Sequence, residues 1–130
     1  MARRITKGQL SLVRRAKSFV HAGRGLWLFV KTTPNAWIQI AGLGGVTLLG
    51  IYFSISTIEW TLLVLTSTMV LAAEAFNSAV EIDIDLTSPT YHPYARDTKD
   101  IAAGAVLITA LGAGVIGILI FAPYIIKAVY

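Results

Sequence analysis

The chain has 130 residues, of which 55% are hydrophobic and only 14% are charged, whereas soluble domains carry about 25% charged residues. Together with the long uncharged runs described below, this composition argues against a soluble helical bundle and for a membrane protein. Cysteine is absent, which excludes disulfide bonds and thiolate metal sites. The length suits a single domain that covers residues 1–130.

The N-terminal segment is strongly basic. Eight of the 11 Lys and Arg residues precede Thr32, and the first acidic residue of the chain is Glu59. Within residues 8–31, apolar side chains recur at roughly helical spacing between the basic ones, which predicts an amphipathic helix lying on a membrane surface. A basic patch can also bind nucleic acid. Beside long apolar segments it more often indicates an anionic membrane, so we expect no nucleic-acid partner.

Three further helices are predicted to cross the membrane. No charged side chain occurs from Thr32 to Ile58, and because about 20 apolar residues suffice for one span, we place the first span at residues 35–54. The second is predicted at 58–85, with its end leaving the bilayer, followed by a polar loop at 86–100 and a third span at 101–122. Since Lys and Arg favour the cytoplasmic side, their distribution predicts that the N-terminus and this loop lie inside and the C-terminus outside.

The second predicted span ends in a row of polar side chains. On a helix, residues at spacings of 0, 3, 4, 7 and 11 share one face. This is the spacing of Glu74, Asn77, Ser78, Glu81 and Asp85. Ionisable side chains inside a membrane span are candidates for function, so this face is the candidate functional site.

Depth in the membrane distinguishes the two glutamates. Glu74 lies about two helical turns deeper than Glu81, so it should be the more desolvated and suits a general base. Glu81 and Asp85 lie nearer to water, where Mg²⁺ could bind through carboxylates and phosphates. Lys99 could neutralise phosphate charge, and Asp100 could cap or orient the start of the third span. The pattern alone leaves three interpretations open: a polar packing stripe, a cation or proton pathway, and a Mg–nucleotide site.

Two stretches carry a resemblance to a known family. EAFNSAVE at residues 74–81, followed by Asp85 and by YHPYARDTKDIAAGAVLI at 91–108, closely resembles the signature of the prokaryotic diacylglycerol kinases. The resemblance implies an all-α integral membrane protein of the bacterial inner membrane, with an N-terminal surface helix and three transmembrane helices, assembled as a homotrimer. It also implies ATP-dependent phosphorylation of diacylglycerol or undecaprenol with Mg²⁺. The loop at 86–100 is weakly more similar to the undecaprenol kinase branch.

The resemblance also assigns roles to individual residues. Glu74 matches the catalytic base of the family, with Asn77 as the polar residue beside it, and Glu81 matches a carboxylate that binds the metal. Glu74 and Ser78 are expected to face the lipid substrate. The residues implied in nucleotide binding are Arg14, His21, Glu81, Asp85, His92, Lys99 and Asp100.

One departure from the family pattern concerns the metal. The family normally has an acidic residue where the surface helix meets the first span, and this acid helps to bind the metal. Thr33 stands at that position, and Gln39 stands where a second acid is customary. Because no acid precedes Glu59, the chain lacks half of the expected protein ligands. The alternative interpretation is therefore a non-catalytic relative that binds lipid or nucleotide.

Overall fold

The computed structural model describes the backbone from Lys7 and the side chains from Ser11, in each case to Tyr130. Arg3 and Arg4 of the basic segment lie outside these residues. The described part is helical, as predicted, and contains α1 (Lys7–Thr32), α2 (Pro34–Phe53), α3 (Thr57–Thr87) and α4 (Pro93–Val129). By length and composition, α2, α3 and α4 can each cross a membrane.

The chain divides into two compact units, Met1–Pro34 and Asn35–Tyr130. Proline causes the break between the first two helices, because it lacks an N–H and disfavours helical backbone in the residue before it. The amide of Thr33 still donates to the carbonyl of Phe29 at 3.0 Å and closes the last turn of α1. Helix α1 exposes several large apolar side chains, including Phe19, which is 80% exposed.

A tight turn at residues 54–56 joins α2 to α3. Ser54 adopts a left-handed backbone with φ of 50°, and Ser56 caps α3 through a reciprocal pair of hydrogen bonds with Glu59. The hydroxyl of Tyr124, near the end of α4, also donates to Oε2 of Glu59 at 2.8 Å. This carboxylate therefore ties the start of α3 to the end of α4.

The buried apolar core lies at the same end of the helices. It consists of Ile55, Leu63, Ile120 and Phe121. Elsewhere, large apolar side chains such as Leu48, Ile108 and Ile118 are about as exposed as Phe19. Such outward apolar faces are expected where lipid tails or another apolar surface, rather than water, surround the helices.

Gly50 on α2 lies against the ring of Trp60 on α3. A Cβ at this position would meet the ring of Trp60 at 2.7 Å and Cδ1 of Ile55 at 3.1 Å, whereas a Cβ at Gly45 would meet nothing within 4 Å. We expect Gly50→Ala to lower the free energy of unfolding by about 1–3 kcal/mol, because overpacking forces neighbours to shift. Thermal unfolding in detergent micelles measures this effect, and Gly45→Ala is the matched control. Equal midpoints for the two variants would contradict the prediction.

The connection between α3 and α4 is shorter than the sequence suggested. Helix α3 continues to Thr87, and α4 already begins at Pro93, so residues 93–100, predicted to be part of a loop, are helical. The cause is local, because Nδ1 of His92 accepts a hydrogen bond from the amide of Tyr94 at 3.2 Å and Pro93 occupies the first helical position, which suits proline. Asp100 consequently lies two turns inside α4 and does not cap its start.

Candidate functional site

The polar face of α3 extends from the interior of the structure to its surface. Glu74 is only 2% exposed and Asn77 is 7% exposed, while Glu81 and Asp85 are exposed. Burial therefore decreases along this face, in the order that the sequence predicted. Ser78 lies on the same face, and its hydroxyl donates to the backbone carbonyl of Glu74 at 3.0 Å.

Glu74 is held by a side chain from a neighbouring helix. Nε2 of Gln39, on α2, donates to Oε2 of Glu74 at 3.1 Å. The two residues meet because α2 and α3 run antiparallel from the turn at 54–56 and lie at corresponding heights. A buried carboxylate is costly unless it is hydrogen-bonded, and this contact offsets part of that cost. From the sequence, Gln39 stands out only as the replacement of a customary acid, and its contact with Glu74 was not predicted.

A second amide–carboxylate pair follows one turn along α3. Nδ2 of Asn77 donates to Oε1 of Glu81 at 3.2 Å. In both pairs the amide N–H group bonds the carboxylate, and in both the amide oxygen is left over. Oε1 of Gln39 and Oδ1 of Asn77 are buried and have no hydrogen-bond partner among the described residues. Two unpaired acceptors beside two carboxylates indicate a site that is completed by a ligand or water.

A polar cavity of about 440 Å³ lies at the α3–α4 connection. It brings together four of the predicted nucleotide-binding residues, namely Asp85, His92, Lys99 and Asp100. Nζ of Lys99 lies 2.8 Å from Oδ1 of Asp85, so this cation is paired within the cavity. Arg96 also lines the cavity and bonds Asp100 through Nε at 3.5 Å. The cavity therefore presents two cations, each beside a carboxylate.

Arg14 and His21, the remaining predicted nucleotide-binding residues apart from Glu81, lie on α1. Both side chains are exposed. They belong to the unit Met1–Pro34, whereas the polar cavity belongs to Asn35–Tyr130. The four residues of the cavity thus form one group in the structure.

An apolar cavity of about 290 Å³ lies between α2, α3 and α4. Gln39 lies at one end of the lining on α2, and the walls include Leu43, Val46 and Leu71, with Gly114 on α4. Along α2, the lining residues from Gln39 to Val46 span about 10 Å at ~1.5 Å per residue. The cavity is suited to a hydrocarbon chain whose polar end lies near Gln39.

The carboxylates can supply part of a metal site. Among the described residues, no group of three or more His, Asp or Glu side chains is placed to hold a metal ion. Glu81 and Asp85 are one helical turn apart and exposed, and Mg²⁺ commonly binds one or two carboxylates together with phosphate oxygens and water. These residues therefore fit Mg²⁺ that arrives with a phosphate ligand, and they do not form a closed protein cage.

Comparison with known proteins identifies the family of the chain. Residues 20–121 match the family model for prokaryotic diacylglycerol kinase. The undecaprenol kinase of Bacillus subtilis is 40% identical over 107 residues, which cover 82% of this chain and 87% of that protein. The diacylglycerol kinase of Synechocystis is 35% identical over 102 residues, covering 77% of this chain and 58% of that protein. The diacylglycerol kinase of Helicobacter pylori is 29% identical over 101 residues, covering 72% and 79%.

Proposed function

The chain belongs to the prokaryotic diacylglycerol kinase family, a family of lipid kinases, and we propose on that premise that it transfers the γ-phosphate of ATP to the hydroxyl of a membrane lipid alcohol. The observation that carries this proposal is the position of Glu74. It is buried and bonded to Gln39, with an apolar cavity on one side and a polar face leading to a second cavity on the other. A base between a lipid chain and a nucleotide is what this reaction requires.

Undecaprenol is the first candidate for the lipid. The relative that is 40% identical is named for that substrate, and the relatives named for diacylglycerol are 35% and 29% identical. Diacylglycerol is the second candidate, because these less similar relatives are named for it. Both are alcohols with long hydrocarbon chains, so the apolar cavity is compatible with either.

In the proposed reaction, the lipid hydroxyl loses its proton to Glu74 as its oxygen attacks the γ-phosphorus. The bond from that phosphorus to the bridging oxygen breaks, and the electron pair leaves with ADP. Lys99 and Arg96 lie in the polar cavity and would offset the charge of the phosphates. Asn77 would keep the carboxylate of Glu81 in place. Catalysis of this kind depends mainly on positioning and on charge neutralisation.

Mg²⁺ is the metal that this site would use. Glu81 and Asp85 would hold it together with oxygens of ATP, since Mg²⁺ at such sites binds largely through phosphates. When bound, the ion neutralises charge on the transferred phosphoryl group. Thr33 replaces the acid that the family normally contributes, so the metal would depend more strongly on Glu81 than is usual.

We place the protein in the bacterial inner membrane as a homotrimer, with the N-terminus and the polar cavity in the cytoplasm and the C-terminus outside. The three apolar helices and the concentration of Lys and Arg in the N-terminal segment and near the polar cavity support this orientation. Helix α1 would lie on the cytoplasmic surface. Glycines such as Gly104 and Gly112, where an added Cβ would meet nothing, leave room for close contact with another helix.

The proposal is tested by measuring transfer of phosphate from labelled ATP to undecaprenol and to dioleoylglycerol in mixed micelles over a range of Mg²⁺ concentrations. We expect Mg²⁺-dependent turnover, with the larger kcat/KM for undecaprenol. A folded protein that binds ATP or lipid without turnover would instead favour the non-catalytic relative that the loss of acid at Thr33 suggests.

A further inference from the structure

Gln39 lies between the apolar cavity and Glu74. It lines the cavity, and Glu74 does not. Its Nε2 reaches Oε2 of Glu74 at 3.1 Å. A molecule in the cavity would therefore meet Gln39 before it reached the buried carboxylate, and the geometry of Glu74 depends on the amide that faces it.

The polarity of Gln39 is not explained by packing. Its Oε1 is buried without a hydrogen-bond partner among the described residues, and such an unpaired acceptor is unfavourable. A methionine of similar length would fill the same space in α2 without that penalty. The amide is useful at this position because its N–H group donates to a carboxylate, and the reverse orientation would place two oxygen acceptors against each other.

Building on the proposed function, we propose that Gln39 is a positioning residue for phosphoryl transfer. Gln39 holds the carboxylate of Glu74 through Oε2 of that carboxylate. The other oxygen, Oε1 of Glu74, is thereby directed toward a lipid hydroxyl that arrives from the apolar cavity. The hydroxyl O–H bond breaks, the proton passes to Oε1 of Glu74, and the oxygen forms its bond to the γ-phosphorus while ADP leaves. Gln39 itself exchanges no proton and acts only through Glu74.

The proposal predicts an effect on kcat rather than on nucleotide binding. Gln39→Met removes the donor while nearly preserving the volume, so the carboxylate loses its fixed orientation. Misplacement of a catalytic group by about 1 Å can lower the rate ~10²-fold, and we expect kcat to fall by ~10- to 100-fold. KM for ATP should stay within about twofold of the wild-type value. Gln39 does not line the polar cavity, so its replacement should not alter the binding of ATP in the ground state.

Two further substitutions test whether hydrogen-bond donation is the cause. Gln39→His can place a ring N–H close to the position of Nε2, so it should retain most of the wild-type kcat. Gln39→Asn keeps the amide but withdraws it by one methylene group, so it should lose kcat as Gln39→Met does. Thr47→Val is the matched control on α2, because the Thr47 hydroxyl donates to the carbonyl of Leu43 on the same helix, and we expect the kcat of this variant to be unchanged.

The experiment measures kcat, both KM values and the thermal midpoint of the full-length protein and of each variant in lipid micelles. Unchanged kcat for Gln39→Met and Gln39→Asn would overturn the role of Gln39 and leave the proposed function intact. Equal loss in the Met, Asn and His variants at unchanged midpoints would also overturn it. Should Gln39→Met fail to fold, the comparison of the Asn and His variants decides the question. Absence of turnover in the wild type would overturn the proposed function and this role together.

Discussion

Glu74→Gln is expected to lower kcat for lipid phosphorylation by about 10²–10⁴-fold, the usual contribution of a general base. Glutamine matches the shape of glutamate, and its side-chain oxygen can still accept the hydrogen bond that Gln39 donates to Oε2. The packing around residue 74 should therefore survive. The amide cannot accept the proton of the lipid hydroxyl, so the loss is confined to the chemical step. Initial rates at saturating ATP and lipid measure the effect.

Asp83→Asn is the matched control for this variant. It neutralises another carboxylate on α3, but Asp83 is exposed and lies away from the face that carries Glu74. We expect kcat within about twofold of wild type, as is normal for a surface change away from special features. A fully active Glu74→Gln enzyme would show that another group accepts the proton, and the buried stripe would then be a packing feature.

Glu81→Gln is expected to raise the Mg²⁺ concentration required for half-maximal activity by at least ~10-fold. Even residues that only support a metal ligand change affinity by about 10- to 100-fold when they are replaced, and Glu81 would be a direct ligand. Asn77 can still donate to the oxygen of a glutamine at this position, since its present acceptor is Oε1 of Glu81. Mg²⁺ activation curves at fixed ATP provide the measurement.

The two variants should respond differently to excess metal. High Mg²⁺ should restore much of the activity of Glu81→Gln, because phosphate oxygens also bind the ion. It should restore none to Glu74→Gln, which lacks a proton acceptor. An activation curve for Glu81→Gln that coincides with that of wild type would exclude Glu81 as a metal ligand.

The number and type of the helices were predictable because membrane spans require long uncharged runs. The uncharged run between Lys31 and Glu59 is long enough for a membrane-spanning helix. The start of α4 was harder to predict from the sequence, since YHPYARDTKD is polar, which is typical of a loop. The cap formed by His92 and the favourable first position of Pro93 outweigh that polarity and start the helix early.

The face that carries Glu74 was predictable from spacing within one helix, whereas contacts between helices were not. The approach of Gln39 to Glu74 depends on how α2 and α3 align, and the turn at residues 54–56 fixes that alignment. A signal was nevertheless present, because Gln39 is an amide within a largely apolar span, and a polar side chain there usually has a partner. The pairing of Lys99 with Asp85 also depends on the position of the second helix.

The turn at residues 54–56 also limits how α2 can move. The turn joins the two helices, and Gly50 and Trp60 are in close contact beside it, so any tilt of α2 relative to α3 would be smallest at this end. Gln39 lies ~22 Å along α2 from Ser54 at ~1.5 Å per residue. A tilt of ~10° about the turn would move Gln39 by ~4 Å over that lever arm, while Gly50 would hardly move.

Such a tilt would open the gap between α2 and α3 most widely at the level of Glu74 and would leave it closed at the turn. A long-chain alcohol would then slip in sideways from the bilayer, with its hydroxyl already at the height of the base. It would not have to thread its tail lengthwise into a closed tunnel, so the length of the chain would matter less than its width.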